Sequence, residues 1–355
     1  VLSSIEVSDF RCIRHAKLEF HDRGTGIVGG NAAGKTSLLE AIFFLAHGRS
    51  FRTATRAKLI RRGADFFRIV ATLESRDGQL IAGAEHGAGE TKMRLGGQGV
   101  SSVSDVAEVL PIQVIDPGVH RLVDEGSARR RRLLDWGVFH VKHNFLSAWR
   151  RYQRALSQRN TAIREDLSDE LIRAWDPELV EAAQAIDQLR RDYSAELARE
   201  FEKLGADFLG ERVELEYRRG WDDDTSLGDA LAASHPRNRR HGTTTVGAHR
   251  ADLIIRADGV IARDRVSRGQ QKVLAAALIL AQIRCLARLS DRTETCLLLD
   301  DPAAELDVDK LGKLLRAIDE TPAQLVVCSV TEAGLNGIDI GRKFHVEQGK
   351  FGSML

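Results

Sequence analysis

No apolar run in these 355 residues reaches the length of a membrane span, and the first residues lack the charged-then-apolar pattern of an export leader. A soluble, cytoplasmic protein is the expectation. Cysteine is scarce. The four present are Cys12, Cys285, Cys296 and Cys328, and none form C-x-x-C. Cys296 and Cys328 sit in apolar runs, which points away from disulfides and zinc and toward reduced core thiols. An excess of one charge is also missing: 52 Lys and Arg face 51 Asp and Glu. Any contact with nucleic acid must therefore use a local patch. Internal repeats and low-complexity tracts are absent. What is present is a 43% hydrophobic composition and a length that suits two domains, or one domain with a large insertion.

The run Gly29-Gly30-Asn31-Ala32-Ala33-Gly34-Lys35-Thr36, followed by Ser37, fits the phosphate-binding pattern G-x-x-x-x-G-K-[ST]. Gly26-Ile27-Val28 before it reads as a strand. Leu38-Leu39-Ala41-Ile42 after it reads as a helix running to about Ala46. In that context loop N–H groups point at phosphate oxygens and the helix dipole adds to them. Lys35 reaches the β- and γ-phosphates of ATP, and Thr36 places its hydroxyl on Mg²⁺.

The first 110 residues otherwise read as strands, with Ile5 and Val7, and Leu18 and Phe20, alternating. Residues 68–73 and 79–84 suggest a meander. From about residue 125 to 210 the period becomes helical. Asp176-Pro177-Glu178 reads as an N-cap followed by proline at the first helical position, and Gly210 as the stop. Between them Leu179, Ala183, Ile186, Leu189, Tyr193, Leu197, Phe201, Leu204 and Phe208 recur in steps of three or four. Val213, Leu215 and Tyr217 alternate as a strand. Trp221-Asp222-Asp223-Asp224 and residues 236–241 read as surface loops. Residues 275–289 form an apolar helix, and 296–299 and 324–328 form short buried strands.

Cys296-Leu297-Leu298-Leu299-Asp300-Asp301-Pro302 describes a buried strand delivering acids to its C-terminal edge, where α/β sheets bind ligands. Asp300 holds Mg²⁺ in this reading, and Asp301 orients or deprotonates the attacking water. In Val266-Ser267-Arg268-Gly269-Gln270-Gln271, Ser267 caps the following helix, and N–H groups near Gly269 and Gln270 make an anion site. With the other motifs it resembles the L-S-x-G-Q signature of ABC-type ATPases, and Ala304-Glu305-Leu306-Asp307 resembles their D-loop. The expected fold is α/β, an ABC-type P-loop ATPase head with an inserted, mainly helical second lobe. Residues 1–115 and 292–355 make the ATP-binding lobe. Residues 116–291 make the helical lobe, carrying the signature and the basic patch. The separation of Gly34 from Ser267 is larger than in transporter subunits, and the insert is too short for an SMC-like coiled coil.

Four further stretches are similar to the RecF family of bacterial recombinational-repair ATPases: Asp9-Phe10-Arg11, Leu134-Asp135-Trp136-Gly137-Val138-Phe139-His140-Val141, Gly247-Ala248-His249-Arg250-Ala251-Asp252-Leu253, and the run from Asp300 to Asp307. The resemblance spans essentially the whole chain. Two residues depart from it. Ala32 stands in place of a loop glycine and is strained if φ is positive there; Ala248 stands in place of a proline. The resemblance implies Gln113 as the Q-loop residue, sensing the γ-phosphate or positioning water beside the metal. It also implies an approach of Arg11 to the nucleotide, and Ser267, Gly269, Gln270 and Asp307 at an ATP-dependent homodimer seam. Ser329 lies where ABC ATPases place a switch histidine, so slow hydrolysis is expected.

Residues 129–159 carry nine basic side chains (Arg129, Arg130, Arg131, Arg132, Lys142, Arg150, Arg151, Arg154 and Arg159) against one acid, Asp135. Arg129 to Arg132, Arg150, Arg151 and Arg154 are the candidate DNA contacts, with Trp149 and Tyr152 in the core, and Arg237, Arg239 and Arg240 form a smaller basic stretch. Nothing resembles a base-reading module, so binding is expected to tolerate any sequence. The resemblance implies a weak, DNA-dependent ATPase whose dimer clamps gapped or single-stranded DNA. It implies work with RecR and RecO to load RecA, in replication restart and the SOS response. A transporter-coupled ATPase subunit is the alternative; a small-molecule P-loop kinase has no need of the signature or D-loop.

Overall fold

Lys35–His47 is a helix buried on nearly every side, and two sheets account for that. The structure, a computed structural model, describes residues 1–75, 78–290, 294–302 and 306–354. The first sheet is antiparallel. Its strands run Ile13–Glu19, Leu2–Phe10, Phe66–Ser75, Gly78–Gly87, Glu90–Leu95 and Gln98–Val100 in spatial order. The second runs Lys350–Met354, Arg342–Glu347, Gly24–Val28, Ala323–Ser329, Thr295–Asp300 and Ile112–Ile115, and is parallel except at the Lys350–Met354 edge. Leu38, Leu39, Ile42, Phe44 and Leu45 share one buried cluster with Ile5, Val7, Phe67 and Ile69 of the first sheet and Ile27, Leu298 and Val326 of the second. Phe10, Phe44 and Phe67 meet edge to face within it.

The chain divides into two compact units, Val1–His120 with Ala287–Leu355, and Arg121–Leu286. The first holds both sheets and the helix just described, so strands from the two ends of the chain pair side by side. The second is led by the helices Ser127–Val141, Phe145–Arg164 and Asp176–Leu209, with a small antiparallel sheet of Val260–Ile261, Asp252–Ala257 and Val213–Arg218. The long helix ends at Gly210, whose φ of 73° is the left-handed stop. Its start differs from expectation by one residue. Trp175 is the cap, and Asp176 lies inside the first turn because its carboxylate accepts from the buried Arg159 Nε at 2.7 Å.

Of the two stretches expected as surface loops, residues 221–224 are a turn and residues 236–241 are helical. Residues His235–His241 form a short helix anchored by the wholly buried Asn238, which accepts from the Thr245 N–H at 2.9 Å and donates to Ser234 Oγ at 3.1 Å. Trp221 is buried, with the Arg219 guanidinium 4.8 Å from its ring centre. A single apolar residue among acids does not reveal which side chain turns inward.

Candidate nucleotide-binding site

The parallel strands Gly24–Val28, Ala323–Ser329, Thr295–Asp300 and Ile112–Ile115 end at one edge of their sheet, and the phosphate loop arches over it. Gly29 and Gly30 begin the loop. A side chain on Gly29 would overlap the Val346 carbonyl, so only glycine lets those backbones approach. Ala32 has φ +62°, so the strain expected of this departure is present. Gly34 has φ +119° and caps the helix. Asn31 and Ala32 are exposed at the tip, Ala33 and Thr36 are partly covered, and Ser37 is buried. The Ala33 carbonyl accepts from the Gly349 N–H at 2.7 Å, which ties the loop to the last hairpin.

Lys35 is buried and donates to the carbonyls of Gly29 at 2.6 Å and Gly30 at 2.8 Å. Its ammonium therefore lies inside the curl of the loop, where phosphate oxygens can replace those carbonyls. Thr36 Oγ1 donates to Asp300 Oδ1 at 2.9 Å, joining residues from opposite ends of the chain. Asp300 is buried. Burial first, then the charges of Asp116 and Asp301, push its carboxyl above the usual range, against the Thr36 hydrogen bond and the nearby Arg52. A buried carboxylate crowded by others and paired with a hydroxyl is a fitting donor set for Mg²⁺, which takes one or two protein ligands and completes its shell with phosphate and water. No group of three or more His, Cys, Asp or Glu suited to a metal occurs among the described residues. Asp301 follows with φ +51°, its N–H donating to the Cys328 carbonyl at 3.0 Å. Pro302 is buried behind it.

Two expected residues sit elsewhere. Gln113 pairs in register with Leu297, three residues before Asp300, and is buried within its strand. At about 3.3 Å per residue that leaves it roughly 10 Å short of the edge. Asp116, just beyond the end of the same strand, is one of the residues whose charge acts on Asp300. An apolar strand ending in an acid is the pattern that identified Asp300, and it marks Asp116 equally. Arg11, at φ +54°, turns to the wholly buried Glu40, donating from Nε at 2.8 Å and Nη2 at 2.7 Å, and from Nη1 to the Lys58 carbonyl at 3.1 Å. Glu40 also accepts from Ser50. The guanidinium secures the phosphate-loop helix, because a carboxylate buried in that helix needs a cation.

Ser267 and Gln270 form a capping box on the helix Arg268–Leu289. Ser267 Oγ accepts from the Gln270 N–H at 3.3 Å, and Gln270 Oε1 accepts from the Ser267 N–H at 2.9 Å. Gly269 has open space where a side chain would stand. Of the D-loop, Ala304 and Glu305 lie outside the described residues. Asp307 caps the helix Val308–Asp319 by accepting from the Lys310 N–H at 2.8 Å, and Lys310 holds its carboxyl below the usual range. Ser329 is buried, and its carbonyl accepts from the Gly29 N–H at 3.2 Å.

The basic run is largely internal wiring. Arg130 is buried and bidentate to Asp252 at 2.8 and 3.0 Å. Arg159 is wholly buried on Asp176 and Thr244. Arg129 pairs with Glu125, and Arg151 with Glu178 and Glu181. Arg131 donates to the Ala251 carbonyl at 2.7 Å and Arg132 to the Ala128 carbonyl at 3.1 Å. Arg150 and Arg154 are exposed. Arg239 pairs with Asp166 and Asp169, Arg237 donates to Thr245, and Arg240 is exposed. Tyr152 is in the core, as expected, whereas Trp149 is 36% exposed. Cys285, Cys296 and Cys328 are buried free thiols, and Cys12 is exposed. Burial pushes the Cys296 thiol up to about 12, which makes it inert. Among the described residues no helix is long and apolar enough to cross a membrane.

The family model described as RecF/RecN/SMC N terminal domain matches residues 1–350. A DNA replication and repair protein RecF of Shewanella loihica is 36% identical over 355 residues, covering 98% of each chain. Its counterpart in Yersinia pestis bv. Antiqua is 38% identical over 354 residues with the same coverage. A solved structure of the recombination mediator protein RecF-ATP in the RecFOR pathway superposes with a TM-score of 0.89 at 25% identity, covering 100% of this chain and 97% of that one. An Smc head bound to the C-winged helix domain of ScpA shares the fold at a TM-score of 0.63 and 16% identity, covering 99% and 97%. None of these matches supports the transporter-coupled alternative. With its phosphate loop, acid-tipped strand and signature helix in an α/β ATPase head, the chain belongs to the RecF family of DNA replication and repair proteins.

Proposed function

We propose that this protein is an ATP-driven DNA clamp of recombinational repair. The observation that carries the reading is the hydrogen bond from Thr36 to Asp300, which joins the phosphate loop to the acid strand at the sheet edge where nucleotides bind. In this reading the loop N–H groups and Lys35 bind the ATP phosphates. Thr36 and Asp300 would hold Mg²⁺, which would supply charge neutralisation at the phosphates. Asp301 orients the attacking water, and Asp116 takes the place first expected of Gln113 in shaping the field around it. Ser267, Gly269 and Gln270 of one copy face the γ-phosphate of a second copy, with Asp307 at the seam, so ATP joins two chains.

Hydrolysis is weak and DNA-dependent, and it times release. The dimer holds gapped or single-stranded DNA without regard to sequence, using the exposed Arg132 and Arg154. The related structure is described as belonging to the RecFOR pathway. That description supports work with RecO and RecR; the same reading extends to loading of RecA, replication restart, the SOS response and placement in the cytoplasm. Light scattering with Mg²⁺ alone and then Mg²⁺-ATP tests the clamp. The mass is expected to double with ATP and to stay monomeric in Ser267→Arg. A mass that never changes, with DNA present as well, overturns the mechanism.

A further inference from the structure

The Arg121–Leu286 unit contains a cavity of about 270 Å³ walled by three helices and the turn at His249. Arg131, Arg132, Asp135, Trp149, Arg190 and His249 decide its chemistry. Asp135 offers an anion no obstacle, because both its oxygens accept from Arg190, at 2.8 and 3.0 Å. Arg190 is itself buried and donates to the Ala248 carbonyl at 2.6 Å. His249 is neutral. Nδ1 lies 2.6 Å from the Tyr152 hydroxyl and Nε2 2.9 Å from the Thr244 carbonyl, and burial holds the ring down to about 4.

What remains is positive and has hydrogen-bonding capacity in hand. Arg131 uses Nη1 on Ser127 and the Ala251 carbonyl, leaving Nε and Nη2 without an acceptor among the described residues. Arg132 uses Nε on the Ala128 carbonyl, leaving both terminal nitrogens. Neither forms an ion pair among the described residues. Burial and the charge of Arg190 lower the Arg131 pKa, against the opposing charges of Asp252 and Asp135. Beside them stands the part-exposed Trp149. Forked guanidiniums select phosphate, and an exposed indole offers a stacking surface. The volume is slightly below that of ordinary small-ligand pockets, roughly 300–1,000 Å³, which suits one nucleotide unit and not a folded partner.

We infer that this cavity takes a single nucleotide unit of a DNA strand, its phosphate on Arg131 and Arg132 and its base against Trp149. The inference rests on the DNA-binding reading above and assigns one strand contact to named residues. The guanidiniums favour a nucleotide over an acidic peptide because a planar surface adjoins them.

The test uses the full chain without ATP at low salt, titrated with the 5′-phosphorylated thymidine dinucleotide by calorimetry and tryptophan fluorescence. Saturable binding with quenching is expected. Trp149→Phe should lose the quenching, and Trp149→Ala should weaken binding. Arg132→Gln, whose side chain bonds only its own helix, should weaken it roughly tenfold, as should removal of the 5′-phosphate. Thermal melts identify any variant that fails to fold. Absence of saturable binding overturns the inference, as does binding indifferent to Arg132 and Trp149. Preferential binding of an octaglutamate peptide with the same arginine dependence also overturns it, in favour of a protein partner. If dinucleotide binding is absent while ATP still doubles the mass, this inference alone falls. If the dinucleotide binds and the mass never doubles, only the clamp falls.

Discussion

Replacing Gly137 by alanine sets two physical arguments against each other. The residue lies inside the helix Ser127–Val141, where helix propensity alone favours alanine by about 1 kcal/mol. Packing argues the other way. A methyl group on Gly137 would stand 2.5 Å from Tyr193 Cε1 and closer still to Cζ and Oη. Tyr193 is only 1% exposed, on the long helix, so its rigid ring has no open space to enter. Overpacking of this severity lies near the upper end of the usual range, about 3 kcal/mol. Less the propensity gain, Gly137→Ala should destabilise by about 2 kcal/mol. Urea denaturation followed by tryptophan fluorescence reads the right part of the molecule, because Trp136, Trp149, Trp175 and Trp221 all lie within Arg121–Leu286. Gly228→Ala is the control. It lies in the helix Leu227–Ala233, and its added methyl would meet nothing nearer than Ser226 Oγ at 3.8 Å. That variant should be neutral or gain up to about 1 kcal/mol. If both variants gain stability alike, Tyr193 does not close over Gly137 and the packing argument is wrong.

Arg11→Ala should cost about 3 kcal/mol, since it strands the buried Glu40 carboxylate, and Arg11→Ala with Glu40→Gln should recover part of the loss; a single variant as stable as the parent in chemical denaturation refutes this. Ala32→Gly removes a left-handed alanine and should stabilise by about 0.5–1 kcal/mol in thermal denaturation with ATP binding retained, whereas a loss would mean the φ of +62° carries no strain. His249 has a folded pKa of about 4, below its ordinary 6.5, so the unfolded chain takes up its proton first. Its contribution is complete above about pH 6.5 and is lost as pH falls toward 4, by about 2 kcal/mol after allowing for partial exposure. Stability measured from pH 7.5 to 4.5 should fall more steeply in the parent than in His249→Asn. Thr36→Val should weaken Mg²⁺-dependent ATP binding more than Mg²⁺-independent binding, a split visible in calorimetry with and without EDTA, because a methyl group replaces the hydroxyl at nearly the same shape.

Several features are legible in contiguous residues because their causes are local. The phosphate loop needs its glycines and Lys35 at set spacings. The strand ending at Asp300 declares itself by four apolar residues and an acid. The long helix shows its apolar steps and its Gly210 stop, and Ser267 with Gln270 is a capping pair three residues apart. The basic run is the opposite case. Four consecutive arginines have the same formal charge whether they face water or an acid. Arg130 meets Asp252, 122 positions away, while Asp135 meets Arg190, 55 away. Only chain folding decides those pairs, so only the tertiary structure separates the arginines that hold the unit together from those with guanidinium donors to offer a ligand. Gln113 and Asp116 differ in the same way. Which of them reaches the sheet edge depends on the register of their strand against Leu297, set by parallel pairing with a segment from the far end of the chain. Sequence determined the chemistry of this site wherever neighbouring residues suffice to create it; tertiary structure decided which distant charges neutralise one another and which stay available to bind.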